Sequence, residues 1–110
     1  MDPEDLQRLH DVGTETEIAA GQVFIEHGQY GAGLYVILEG TVTVEAAEGT
    51  RELGPGSVLG ERALLSPTGR RTARVRATSD VRALAVGRAE FDRLCTSDPP
   101  FARRLADRGA

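Results

Sequence analysis

A chain of 110 residues, 40% hydrophobic and 27% charged, has the size and composition of one globular domain rather than of a disordered segment. The formal charge is -4, no apolar run reaches the length of a membrane span, and the acidic start MDPEDLQRLH reads as neither a signal nor a transit peptide. The single cysteine, Cys95, excludes an internal disulfide and suits a reducing cytoplasm, while His10 and His27 lie in separate segments without metal-ligand spacing.

The first predicted element is a helix over residues 1–13. Asp2 is placed to cap it, Pro3 fits the first helical position, and Glu4 and Asp5 complement the helix dipole. From 14 to 86 short apolar runs follow one another: TETEIA, QVFIEH, LYVILE, TVTVEA, RELG, SVLG, TARVRA and VRALAV. Their spacing and the glycines between them predict a barrel, roll or sandwich of short strands. TVTVE alternates, which puts Val42 and Val44 inside and Thr41, Thr43 and Glu45 outside. LYVIL is apolar on both faces, as in a strand covered on both sides. Gly31, Gly33 and Gly40 read as turn residues, and EAAEGTREL reads as a hairpin with Gly49 in its turn. Helix returns over 88–110. RAEFDRLC sets Phe91, Leu94 and Cys95 on one face, and SDPPFARRLADRGA restarts with Asp98 as cap and Pro99 at the first helical position. Cys95 reads as a small buried hydrophobe rather than a nucleophile.

The charge is uneven along the chain. Residues 1–61 carry 12 acids and 2 arginines, and residues 62–110 carry 5 acids and 11 arginines. Such asymmetry can mark an anionic partner. The densest stretch is GRRTARVRA, residues 69–77. On a strand beginning at Arg71, side chains of Arg71, Ala73, Val75 and Ala77 share one face, and Thr72, Arg74, Arg76 and Thr78 the other. The first face is small and apolar apart from Arg71, so it is expected to point inward; Arg74 and Arg76 then face water and Arg70 belongs to the loop. An inward arginine needs a counter-charge. The upstream segment LGERALL reads as a short helical turn entered through Gly60, whose lack of a side chain lets an anion approach the backbone. Parity leaves two readings of Arg71 equally open, a phosphate ligand or a salt bridge to Glu61. A nucleic-acid surface is disfavoured by the scarcity of aromatic residues and the lack of a helix-turn-helix pattern. No nucleophile–base pair or metal set points to an enzyme.

The segment LGERALL, the loop SPTGR and RTARV resemble the phosphate-binding cassette of the cyclic nucleotide-binding domains of bacterial catabolite-activator-type regulators, cyclic-nucleotide-dependent kinases and cyclic-nucleotide-gated channels. The upstream GQVFIEHGQYGAGLYVILEGTVTVE looks like that family's early strands, with Gly28 and Gly40 at turns. The likeness runs from about Ile18 to Phe101. It implies a mainly β fold, an eight-stranded antiparallel β-roll or jelly roll over 14–86 with its cassette at 59–73 and short flanking helices. It implies that Glu61 accepts a hydrogen bond from the ribose 2′-hydroxyl and that Arg71 holds the cyclic phosphate. Gly60, Ala63, Leu64, Thr72 and Ala73 are expected to contribute backbone or close contacts, and Arg62, the cassette's variable residue, is counted with the binding site. The expected ligand is cAMP, with cGMP as the alternative, and no further cofactor or metal is implied. The module is expected to be a cytoplasmic, non-enzymatic sensor controlling an effector domain or partner through its C-terminal helices, with a homodimer possible and no direct contact to nucleic acid or membrane. The alternative is a degenerate roll that serves protein interaction and binds no nucleotide. Leu59 departs from the family's usual aromatic, Arg70 competes with Arg71 for the cassette position, and PPFARRLADRGA only begins the family's lid helix.

Overall fold

The computed structural model describes residues 2–60, 63–64 and 69–108. Helix α1 spans Pro3–Val12. The strands are β1 (Thr14–Ile18), β2 (Val23–Ile25), β3 (Gly33–Glu39), β4 (Val42–Ala46), β5 (Gly49–Leu53), β6 (Val58–Leu59), β7 (Ala73–Ala77) and β8 (Val81–Gly87), and helices α2 (Arg88–Ser97) and α3 (Pro99–Arg108) follow. Each of the eight apolar runs in the sequence yields one strand. They form two four-stranded sheets, ordered β1-β8-β3-β6 and β2-β7-β4-β5, with antiparallel pairing throughout. The chain is a mainly β roll with flanking helices.

Two apolar layers hold it together. Ile18, Ile25, Ile37, Val42, Val44, Leu59, Val75, Ala77, Val81 and Ala83 come from both sheets and fill the space between them. The other face of the first sheet, through Leu34, Val36, Leu84 and Val86, packs on Leu9, Phe91, Phe101 and Leu105 of the helices. This explains why β3 and β8 are apolar on both faces while β4 alternates: only the first sheet is covered twice. Val42 and Val44 are buried as the alternation predicts.

The helices are fixed at their ends. Asp2 Oδ1 accepts from the Glu4 amide at 2.8 Å, and Asp98 Oδ1 accepts from the Phe101 amide at 3.2 Å, so both predicted caps form. Phe91 is buried, and Leu94 and Cys95 pack half-buried beside it. Burial, and secondarily the Asp92 carboxylate, pushes the Cys95 thiol above its ordinary range, so it stays protonated and apolar in character.

Three local expectations change. Gly33 opens β3 instead of making a turn, because it pairs with Gly87 of β8; an added Cβ there would overlap the Val86 carbonyl of that strand. Gly49 opens β5; Ala47 and Glu48 make the turn without positive φ, and Gly49 takes φ 136° to close the hairpin. Strand β7 begins at Ala73 rather than Arg71. Its partner β4 ends at Ala46, opposite Ala73, so the ladder has nothing to pair with Arg71. The Arg71 backbone pairs instead with the β2–β3 loop: its amide donates to the Gln29 carbonyl at 2.7 Å and its carbonyl accepts from the Gly28 amide at 3.0 Å.

Candidate functional site

The register of the second sheet lays out a floor. Ile25 pairs with Val75, Val75 with Val44, and Val44 with Arg51. The four side chains therefore form one row on the concave face, three apolar and the last an arginine at the sheet edge. A neighbouring row runs from Ala73 to Ala46. Above these rows lies a cleft of about 510 Å³, counted out to its open mouth. It is lined further by Val58, Leu59, Gly60, Ala63, Glu48, Arg71 and Thr72.

At one end the Arg71 guanidinium donates from Nη2 to the Gly33 carbonyl at 2.7 Å and from Nη1 to the Gly60 carbonyl at 3.1 Å. Its side chain is half-buried. The two carbonyls fix the position of the guanidinium at this end of the cleft. Gly60 makes this possible. It has φ 87°, and a Cβ there would overlap Arg71 Nη1. The need for glycine thus comes from the arginine as well as from access to the backbone. Gly31 is held similarly close, its hypothetical Cβ 2.6 Å from Ala63 Cβ.

The predicted site residues Gly60, Ala63, Arg71, Thr72 and Ala73 all line this one cleft. Leu64 faces elsewhere, buried in the layer between the first sheet and the helices. Ala63 and Leu64 are helical, as ERALL predicts. Glu61 and Arg62 lie outside the described residues, and with them the choice between a Glu61 salt bridge and a ligand for Arg71. Arg70 turns away: it is exposed and bridges through its backbone to Tyr30. Arg74 is outside and donates to Glu26 at 2.8 Å, which holds the Glu26 carboxyl below its ordinary range; Arg76 donates to the Gly21 carbonyl at 3.2 Å. Strand parity separated these arginines correctly.

Two features were not read from the sequence. Arg51 and Glu48 line the end of the cleft formed by the β4–β5 hairpin. Arg88, the first residue of α2, donates to the Gly31 carbonyl from Nε at 3.0 Å and from Nη2 at 2.8 Å, reaches the Ala63 carbonyl at 3.4 Å and sits 4.6 Å from the centre of the Tyr30 ring. It ties the start of α2 to the wall of the cleft. Parity could have found Arg51, since Leu53 points inward and Arg51 is two residues earlier; nothing in the sequence marks Arg88. Among the described residues none of α2 or α3 lines the cleft, and α3 instead buries Phe101 and Leu105 on the helix side. Among the described residues no three metal-ligating side chains gather, and no described helix is long and apolar enough to cross a membrane.

Comparison with known proteins follows the same outline. The family model for the cyclic nucleotide-binding domain matches residues 15–98. A cyclic nucleotide-gated potassium channel, mll3241 of Mesorhizobium japonicum, is 39% identical over 85 residues, covering 77% of this chain and 23% of the channel. The chain thus spans about a quarter of that relative. A structure from a study of a cyclic-GMP-dependent signalling pathway regulating bacterial phytopathogenesis superposes with a TM-score of 0.87 at 31% identity, over 98% of this chain and 89% of the other. The catabolite activator protein of Thermus thermophilus superposes with a TM-score of 0.82 at 28% identity, over 97% of this chain and 53% of the activator. With the cleft, the cassette arginine and the family match in agreement, the chain belongs to the cyclic nucleotide-binding domain family.

Proposed function

We propose that the chain is a non-catalytic sensor module that binds a cyclic purine mononucleotide in the cleft, with the cyclic phosphate at Arg71. The observation that carries this reading is the Arg71 guanidinium, held by the Gly33 and Gly60 carbonyls at the end of an apolar cleft. Glycine at 60 and the small Ala63 and Ala73 leave the backbone open to a bound group, and Glu61 is assigned the ribose hydroxyl by its place in the cassette. Thr72, exposed at the mouth, offers a hydroxyl that serves either cAMP or cGMP. Arg88 grips the carbonyls of Gly31 and Ala63, so a ligand docked beside Gly60, Ala63 and Arg71 bears on α2 and, through α2, on an effector domain or partner in the cytoplasm.

Thermal melts test this. A ligand at about 100 times its Kd stabilises the folded state by about 2.7 kcal/mol. The melting temperature is expected to rise by several degrees with millimolar cAMP or cGMP, and to stay put with the open-chain 5′-monophosphates or with phosphate alone. No rise with either cyclic nucleotide would favour a degenerate roll that serves protein interaction only.

A further inference from the structure

We propose that Arg51 reads the base and makes this cleft prefer guanine over adenine, so that cGMP rather than cAMP is its ligand; the inference rests on the binding mode proposed above.

The geometry begins with the phosphate. If it docks at Arg71, before β7, the rest of the nucleotide extends over the floor toward the β4–β5 hairpin. About two strand spacings, roughly 10 Å, separate β7 from β5. That is the reach of a ribose and purine, not of an inorganic anion. The ring then lies over Val75 and Val44, apolar side chains suited to its face, and its edge arrives at the residue that ends the row. The register makes that residue Arg51, opposite Val44. Arg51 is exposed at the rim and lines the cleft, so its guanidinium can turn to meet the edge without first being desolvated.

The chemistry at that edge discriminates. Guanine presents two acceptors side by side, O6 and N7, which match the two parallel N–H groups of a guanidinium. Adenine presents the N7 acceptor beside an N6 amino donor. Against Arg51 that amino group faces another donor, and one hydrogen bond of the pair is lost. The Thr72 hydroxyl does not separate the two purines; Arg51 does.

The test is a calorimetric titration of cGMP, cAMP and cIMP into the chain, into Arg51→Ala and into Arg51→Gln. The unaltered chain is expected to bind cGMP about tenfold or more tighter than cAMP. Cyclic IMP, which keeps O6 and N7 but lacks the 2-amino group, should follow cGMP. Arg51→Ala should weaken cGMP and leave cAMP within about twofold, erasing the preference. Arg51→Gln should favour cAMP, because a carboxamide pairs bidentately with adenine N6 and N7. A cAMP preference in the unaltered chain, or an unchanged cGMP:cAMP ratio in Arg51→Ala, overturns this inference alone. Failure of every cyclic nucleotide to bind overturns it together with the reading of the cleft. Position 51 is exposed on an edge strand, so neither variant threatens folding.

Discussion

Gly60 and Arg71 work as one unit. The guanidinium needs the space that a side chain at 60 would fill, and the φ of 87° at Gly60 is costly for any residue with a Cβ. Gly60→Ala is therefore expected to combine backbone strain of about 1–2 kcal/mol with displacement of Arg71 and a loss of nucleotide affinity of about tenfold or more. Gly28→Ala separates the two effects. Gly28 has φ 85° but nothing within 4 Å of where a Cβ would stand, so the same strain should appear in a denaturation curve with nucleotide affinity nearly unchanged. Equal affinity losses in the two variants would show that strain alone, and not the Arg71 contact, explains the need for glycine at 60.

Between elements, the clearest polar link joins the two ends of the chain. Asp5, on α1, is buried, and accepts from Arg104 of α3 at 2.9 Å (Nε) and 2.7 Å (Nη2) and from Arg8 at 3.1 Å. The hydrogen bond from Arg104, opposed by burial and aided by the charges of Arg104 and Arg8, holds the Asp5 carboxyl below its ordinary range. A depressed folded-state pKa gives stability that is present above the unfolded value of about 4 and is lost as pH falls through the folded value. Acidification below about pH 4 should thus loosen α3 from α1. Asp5→Asn should cost about 1–2 kcal/mol at neutral pH and reduce the pH dependence of stability below pH 4, as read from chemical denaturation at several pH values. Wild-type and variant curves of identical acid slope would remove Asp5 from this role.

The elements themselves were largely legible in the sequence. All eight strands, both helix caps and the inside–outside split of Arg71, Arg74 and Arg76 follow from parity and from turn and cap residues. What was not legible depends on pairing. The start of β7 at Ala73 is set by where β4 ends, and the functional placement of Arg51 is set by its being opposite Val44. The close approaches of Gly31 to Ala63 and of Gly33 to Val86 arise between segments distant in the chain. The seat of α3 on the helix side reflects Phe101 and Leu105 finding Leu9 and Phe91, a choice that its own amphipathic pattern does not make. Leu64 shows the same limit, since packing alone decides that its side chain joins the layer between the first sheet and the helices.

Across the whole molecule, the roll separates two jobs. The second sheet and the start of the cassette form a cleft with Arg71 at one end and Arg51 at the other, and the first sheet carries the helices on its far face. Arg88 is the polar crossing between them, running from the first turn of α2 to the carbonyls of Gly31 and Ala63. In the proposed function this crossing is what passes a local change at the cleft to α2 and α3. Everything in it depends on Arg71 binding the cyclic phosphate. Calorimetric titration of cGMP and cAMP into the chain and into Arg71→Ala addresses that directly. Charge-assisted hydrogen bonds of about 1.5–3 kcal/mol each predict an affinity loss of at least about tenfold for both nucleotides in the variant, whereas unchanged affinity in Arg71→Ala would contradict the role given to this arginine.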